Sequence, residues 1–479
     1  MVGESRRYFL CLTLAAFALR LLFYFFFPTI IGDSLTYGDI AKNWLQHGIY
    51  GLTHAVGVRP TWIRLPGYPA FLAVCFLLFG REHYHAVLLV QIVIDVASCF
   101  FIADLARRTV GEAPQLAQTA ARVGDPGERA ARFAFLLAAL CPFTANYTAA
   151  PLAETLGIFF VAVALDAAAA GCNALDEERN AWPAWAWCGV ALACGILLRP
   201  DGGVLLIAIG LYLLWRMWRR PAQRAPLFRA GVLVLVISLA PLVPWTLRNW
   251  RDFHRFMPLV PQSASDPNEF VPDGFNKWVR TWSADYVSNE DVYWQVQGNK
   301  VDLGLLPSRA FDSREQRQQT QAIFQEYDKT LVINPELNER LMELANERIH
   351  RDPLRYYLWL PTLRIADMWL RPRTEMLPLD TRWWDFASDP ESSILATVWG
   401  LLNLLLIFAA VMGAIRGPRP RYLGMMLLFV VLRSALLATL ANPEPRYTLE
   451  CYPVVMLLGG AWIAGWQRSL RASAAGLAL

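Results

Sequence analysis

Residues 8–50 read YFLCLTLAAFALRLLFYFFFPTI and then IGDSLTYGDIAKNWLQHGIY. The first part holds one charge, Arg20, in a run long enough to cross a bilayer, which needs about 20 mainly apolar residues. Arg6 and Arg7 precede it, and no A-x-A cleavage site with a polar start follows. The run therefore reads as an uncleaved anchor with a cytoplasmic N-terminus. The second part changes period: from Asp33, the residues Tyr37, Ala41, Trp44 and Leu45 recur on one helical face, with Asp39, Lys42, Asn43 and Gln46 opposite and Gly48 as a stop. This predicts an amphipathic helix lying on the outer membrane face. Asp33 stands at its N-terminus, where the helix dipole favours an ionised carboxylate.

The rest of the chain agrees with a membrane setting. Of 479 residues, 55% are hydrophobic and 18% charged, against roughly 45–50% and ~25% for soluble domains. Residues 251–390 carry 17 basic and 22 acidic residues, leaving 27 basic and 18 acidic elsewhere. The net charge of +4 thus averages an acidic soluble block and a basic membrane portion. No basic run with interleaved aromatics appears, which excludes nucleic-acid binding. The eight cysteines lie in or beside apolar stretches and form no CxxC pattern, so they read as packing residues.

Apolar stretches predict about ten transmembrane helices: 8–31, 84–106, 131–149, 152–172, 183–199, 203–218, 228–247, 392–415, 421–441 and 450–466. Segment 66–80 is too short to cross and reads as a partial helix in the first external loop, 32–83. With 66–80 outside, Arg107, Arg108, Arg122, Arg129, Arg132, Arg216, Arg219, Arg220, Arg224, Arg229, Arg416, Arg419, Arg421, Arg468 and Arg471 all fall inside, as the positive-inside rule asks. The organisation is then a membrane module 1–250, an external domain 251–391 between spans 7 and 8, and C-terminal spans in 392–479, with both termini cytoplasmic. Helical spacing of Ile323, Phe324, Tyr327 and Leu331, and of Leu337, Leu341, Leu344 and Ile349, makes the external domain mainly helical. Residues 354–370 suit an interfacial helix, and Trp278, Trp282, Trp294, Trp359, Trp369, Trp383 and Trp384 read as headgroup anchors or sugar-stacking rings.

Ionisable residues are costly in hydrocarbon, so those gathered at one face mark a site. The outer ends present Asp33, Glu154 in PLAETLG, Arg199 and Asp201 in LLRPDGG, Arg248 and Asn249 in PWTLRN, and Arg446, Tyr447 and Glu450 in NPEPRYTLECYP. Inner-face charges are nearly all arginine, whereas both signs recur outside. This predicts an outward-facing cavity at the membrane surface. A transporter or lipid-linked-sugar flippase is the alternative class; it predicts inverted repeats and mid-membrane polar groups, and mid-span charges are few (Arg20, Asp95, Asp166 and Arg433).

The run D33-x3-Y37-x3-A41-x3-L45-x2-G48-x-Y50, then R64-L-P-G-Y-P-A-F-L-A73, resembles the first external loop of the GT-C glycosyltransferases, most closely bacterial relatives of the protein O-mannosyltransferases, the aminoarabinose lipid A transferase and Rgt-type lipopolysaccharide glycosyltransferases. PLxET at 151–155, LLRPDG at 197–202, PWxxRN at 244–249 and RYxxxxxP at 446–453 extend the resemblance, whereas 251–390 resembles nothing known. It implies an all-α GT-C fold and an inverting transfer from a polyprenyl-phosphate-linked sugar, such as an undecaprenyl one, to a glycan, lipid or protein acceptor outside a bacterial inner membrane. An oligosaccharide ligase or polymerase differs from this only in acceptor. By position, Asp33 is the implied general base, taking the acceptor hydroxyl proton. Arg64, Arg199, Arg248 and Arg446 are the implied donor-phosphate ligands, since guanidinium forks match phosphate oxygens. Tyr37, Asp39, Glu154, Asn249 and Tyr447 would orient substrate or arginine. Ser34 follows Asp33 where relatives often carry a second acidic residue, and His47, His54 and His254 lack zinc-site spacing, so no cofactor is required and no metal is indicated.

Overall fold

The computed structural model describes residues 2–30, 32–110, 125–261 and 263–476. Arg122 and the side chain of Arg471 lie outside the described residues. Among the described residues helices dominate, and seven of them are long and apolar enough to cross a membrane: Ser5–Phe26, Tyr84–Val110, Glu154–Asp176, Pro200–Arg219, Pro221–Phe253, Pro390–Ile415 and Pro445–Arg468. This is a multi-pass membrane protein. Of the ten sequence-predicted spans, 183–199 and 421–441 become the shorter helices Trp182–Leu198 and Leu423–Leu437, of 17 and 15 residues. Segment 66–80 is the 13-residue helix Gly67–Phe79.

The predicted span 131–149 is not one helix. It consists of Pro126–Ala139 and the six-residue Pro142–Tyr147. Pro142 has no N–H to continue the ladder, and the carbonyls freed at the break have another donor. The buried Arg20 guanidinium donates to Ala138 O at 3.2 Å and Ala139 O at 2.5 Å, and its Nε bonds the buried Asp95 carboxylate at 2.7 Å. A break inside an apolar stretch survives only when its backbone groups are satisfied internally; Arg20 does this while Asp95 neutralises it. Asp166, also mid-span, pairs with Arg108 at 2.8 Å.

The chain divides into two compact units. The first comprises 1–267, 404–432 and 449–479, and the second 268–403 and 433–448. The boundary after the seventh span thus runs at 267 instead of 250, because residues 251–267 fold back on the first external loop. Asp266 accepts from Thr61 Oγ1 at 2.9 Å and from Trp62 N at 3.2 Å, and the Trp62 ring lies 4.7 Å from that of Phe253.

That loop also contains the one sheet among the described residues, an antiparallel hairpin pairing Gly51–His54 with Gly57–Pro60. The otherwise all-α expectation did not include it. The amphipathic helix forms as expected at Asp33–His47, burying Tyr37, Ile40 and Ala41 and stopping at Gly48, whose φ is 67°.

In the second unit, Asp273–Arg280, Arg314–Thr330 and Pro335–Arg351 pack around Phe275, Trp278, Trp282, Phe324, Tyr327 and Leu341. Ser313 and Asn334 cap the latter two helices, accepting from Gln316 N and Leu337 N. Trp278 and Trp282 are core residues, not membrane anchors or sugar platforms; both are fully buried, while Trp294, Trp359 and Trp384 remain about half exposed or more. Helical spacing marks them as inward only once the partner helices are in place.

Candidate functional site

The Asp33–His47 helix and the start of Gly67–Phe79 meet through Tyr37 and Tyr68, whose rings stand edge to face at 4.9 Å. Both belong to a core cluster with Ala153, Leu156 and Leu198. The site residues expected from the sequence are the polar neighbours of these apolar ones, so packing the cluster brings them together. Asp33 leads into Tyr37, Arg64 into Tyr68, Glu154 into Leu156, and Arg199 follows Leu198. Gly67 makes the approach possible: a Cβ there would lie 2.5 Å from the Leu197 carbonyl carbon.

Asp33 Oδ1 accepts from Arg64 Nη2 at 2.7 Å, with the two side chains 34% and 24% exposed. The pair is therefore reachable from solvent yet partly desolvated. The Arg64 guanidinium lies 5.7 Å from the Tyr37 ring centre. A second pair stands behind it. Arg199 bonds Asp201 at 3.1 Å and reaches the buried Glu154 carboxylate at 3.4 Å. Burial pushes the Tyr37 hydroxyl pKa up, and the charges of Arg64, Asp33, Arg199 and Glu154 all act on it. The buried Glu450 carboxylate closes over Gly157, one turn beyond Glu154; a Cβ at that position would meet Oε1 at 2.9 Å. Two guanidiniums and four carboxylates thus converge around Tyr37 and Gly157. Among the described residues no group of three His, Cys, Asp or Glu could hold a metal ion.

The other sequence candidates stand elsewhere. Arg248 donates to the carbonyls of Thr61 at 2.7 Å and Tyr50 at 2.6 Å, pairs with Asp252 at 2.9 Å, and is surrounded by the rings of Tyr50, Trp245 and Phe253. It ties the loop hairpin to the end of the Leu242–Phe253 helix. Asn249 is fully buried and donates to Met257 O at 2.8 Å, closing the chain after that helix. Asp39 holds the hairpin, accepting from Thr53 N at 2.7 Å and Thr53 Oγ1 at 2.8 Å, with Lys42 at 3.3 Å. Burial pushes its pKa up, but these bonds outweigh that and keep the carboxyl below its usual range.

Arg446 and Tyr447 belong to the second unit. Arg446 Nε meets Glu444 Oε2 at 2.6 Å, the Tyr447 hydroxyl donates to Glu444 Oε1 at 3.1 Å, and the Arg446 guanidinium lies 5.3 Å from the Tyr447 ring centre. In the same unit, the buried Arg373 donates to Pro445 O at 2.7 Å and to Thr448 Oγ1 at 2.5 Å. The sequence reading did not single out Arg373 or Glu444: Glu444 lies in the quoted NPEPRY stretch, and Arg373 lies in RPRTE of the charged block, where no local pattern marks it.

The class is fixed by this architecture: a multi-pass helical membrane protein with the GT-C fold. Over 98% of its length the chain is similar to the oligosaccharyltransferase AglB of the archaeon Archaeoglobus fulgidus, at 11% identity and a TM-score of 0.52. It spans about half of that protein, 51% of its chain. Over 95% of its length it is similar to ArnT from Cupriavidus metallidurans, at 14% identity and a TM-score of 0.37, covering 76% of that chain. More particularly, residues 59–245 match the family described as dolichyl-phosphate-mannose-protein mannosyltransferase, a stretch that includes Arg64, Glu154 and Arg199. The family match covers less than half of the chain, and the likeness to AglB shows the fold. No curated protein sequence matches it.

Proposed function

We propose that this protein transfers a sugar from a polyprenyl-phosphate-linked donor to an acceptor hydroxyl on the outer side of a bacterial inner membrane, with inversion and with Asp33 as general base. The carrying observation is the partly exposed Asp33–Arg64 pair backed by Arg199 and Glu154. In an inverting displacement the attacking oxygen and the leaving phosphate lie on opposite faces of the anomeric carbon, so the Asp33–Arg64 pair, in contact at 2.7 Å, has to part when the donor binds. Asp33 takes the proton from the attacking acceptor, while negative charge builds on the departing lipid phosphate. Arg64 and Arg199 meet that charge with planar forks. The incoming phosphate competes with Asp33 for Arg64, so donor binding frees the carboxylate to act as a base.

The lipid class rests on the mannosyltransferase family match, and AglB, whose fold this chain shares, is described in complex with a dolichol-phosphate. Arg64 and Arg199 are the preferred phosphate ligands, since Arg248 is engaged by backbone carbonyls. The test is Asp33→Asn in purified full-length protein. Turnover is expected to fall by about 10²-fold or more with undecaprenyl-phosphate binding retained; turnover like wild type ends the assignment. Mass spectrometry of glycans from a knockout and its parent identifies sugar and acceptor.

A further inference from the structure

The helices that carry Glu154 and follow Arg199 lead to a second group of charges at their far ends. Glu154–Asp176 runs 23 residues to Asp176, about 34 Å at 1.5 Å per residue. Gly203–Arg219 runs from the Arg199–Asp201 turn to Arg216 and Arg219. There, a cavity of about 250 Å³ is lined by Asp176 and by Arg216, Arg219, Arg220 and Arg421, with the rings of Tyr212, Trp215 and Tyr422 as its walls.

Four guanidiniums face one carboxylate. Asp176 accepts from Arg216, Arg220, Gln223 and the Tyr422 hydroxyl, and Arg421 stands 3.9 Å away while donating to Asn173. Arg219 lies against the Trp215 and Trp218 rings, 5.9 and 5.3 Å from their centres. Three positive charges of the cavity lining therefore have no carboxylate of their own. Arg216 adds an independent sign. It is 3% exposed, yet its Nη1 has no oxygen or nitrogen acceptor, only the weakly accepting Cys172 thiol nearby. A buried guanidinium N–H left in this way is costly, and an anionic oxygen in the cavity removes the cost.

We propose that this cavity binds the phosphate headgroup of an acidic phospholipid. Its surroundings favour a lipid over a soluble anion. Leu211, Leu214, Trp215 and Trp218 are exposed along the same helix, so its flank is apolar up to the arginines, and exposed tryptophans at a helix end mark headgroup depth. The arginine bias assigns this end to the cytoplasmic side, where acidic lipids attract basic clusters by about a factor of five per Lys or Arg. A bound headgroup would join three separate parts of the chain: the end of Glu154–Asp176, the end of Gly203–Arg219, and Arg421. This binding is independent of the chemistry at Asp33.

The test uses full-length protein in neutral detergent, titrated with phosphatidylglycerol, phosphatidylcholine or inorganic phosphate, with binding read by native mass spectrometry and by unfolding temperature. Phosphatidylglycerol is expected to bind and raise the unfolding temperature, and phosphatidylcholine to do neither. Arg219→Gln and Arg220→Gln should each weaken phosphatidylglycerol about fivefold, whereas Arg229→Gln, an exposed arginine outside the cavity lining, should not. Arg219 contacts rings alone among the interactions described, so its variant keeps the test open if Arg220→Gln does not fold. Equal response to phosphatidylcholine, an equal shift with inorganic phosphate, or unchanged binding by both variants would overturn the proposal.

Discussion

Four arginines carry the same residue-type signal in the sequence, and their neighbours separate them. Arg64 and Arg199 hold carboxylates beside Tyr37; Arg248 holds two backbone carbonyls and Asp252. Arg64→Gln and Arg199→Gln are therefore expected to weaken undecaprenyl-phosphate binding by about tenfold or more, the scale of one charge-assisted hydrogen bond; Arg64→Gln should leave the unfolding temperature little changed, whereas Arg199→Gln also takes a charged partner from the buried Glu154 carboxylate and should lower it. Arg248→Gln should lower the unfolding temperature while the protein that remains folded binds normally. Thermal unfolding beside a binding titration distinguishes the two. Asp39 supplies a pH prediction. Its folded carboxyl lies below its usual range, so the stability it contributes is present above the unfolded value of about 3.9 and lost as pH falls through the folded value. Asp39→Asn should cost about 1 kcal/mol at pH 7, and the gap in unfolding temperature from wild type should close as the pH is lowered below 4. A gap of constant size would show that the Thr53 bonds do not depend on the charge.

At the scale of elements, what could be read from sequence depended on whether the signal was local. The Asp33–His47 helix has its own period and its own stop at Gly48, and it was legible residue by residue. The hairpin was not: its strands are four residues each, too short for an alternation to register, and it exists because Asp39, Asn43 and Arg248 hold its backbone from outside. The break between Ala139 and Pro142 was hidden by continuous hydropathy, since averaging over apolar residues ignores which carbonyls lose their donors. The helix Gly67–Phe79 was recognised as too short to cross, but the reason it sits where it does is the Gly67 contact with Leu197. Gly67→Ala should force these backbones apart, separating Arg64 from Arg199. The expected outcome is a loss of turnover with a lower unfolding temperature, while Gly203→Ala, where a Cβ meets nothing within 4 Å, serves as the tolerated control.

For the whole molecule, the buried Arg20–Asp95 pair joins the first long helix to Tyr84–Val110 and to the broken helix in one contact. Removing one partner strands a buried charge, and Arg20→Ala or Asp95→Ala should each cost about 3–5 kcal/mol. The Arg20→Met, Asp95→Leu double variant should recover part of this, though not all, because the Ala139 carbonyl would lose its Arg20 donor; full recovery, measured by thermal unfolding in detergent, would show that Arg20 is not what stabilises the break. The sequence by itself determined that the chain is a helical membrane protein and which charges stand at helix ends, because hydropathy and charge bias are summed over neighbours in the chain. Tertiary structure alone decided which of those charges meet. Asp33, Arg64, Glu154 and Arg199 are separated by up to 166 positions, and they converge because Tyr37, Tyr68, Leu156 and Leu198 share one apolar core; burial of that core is a property of the packed helices and has no trace in any single segment.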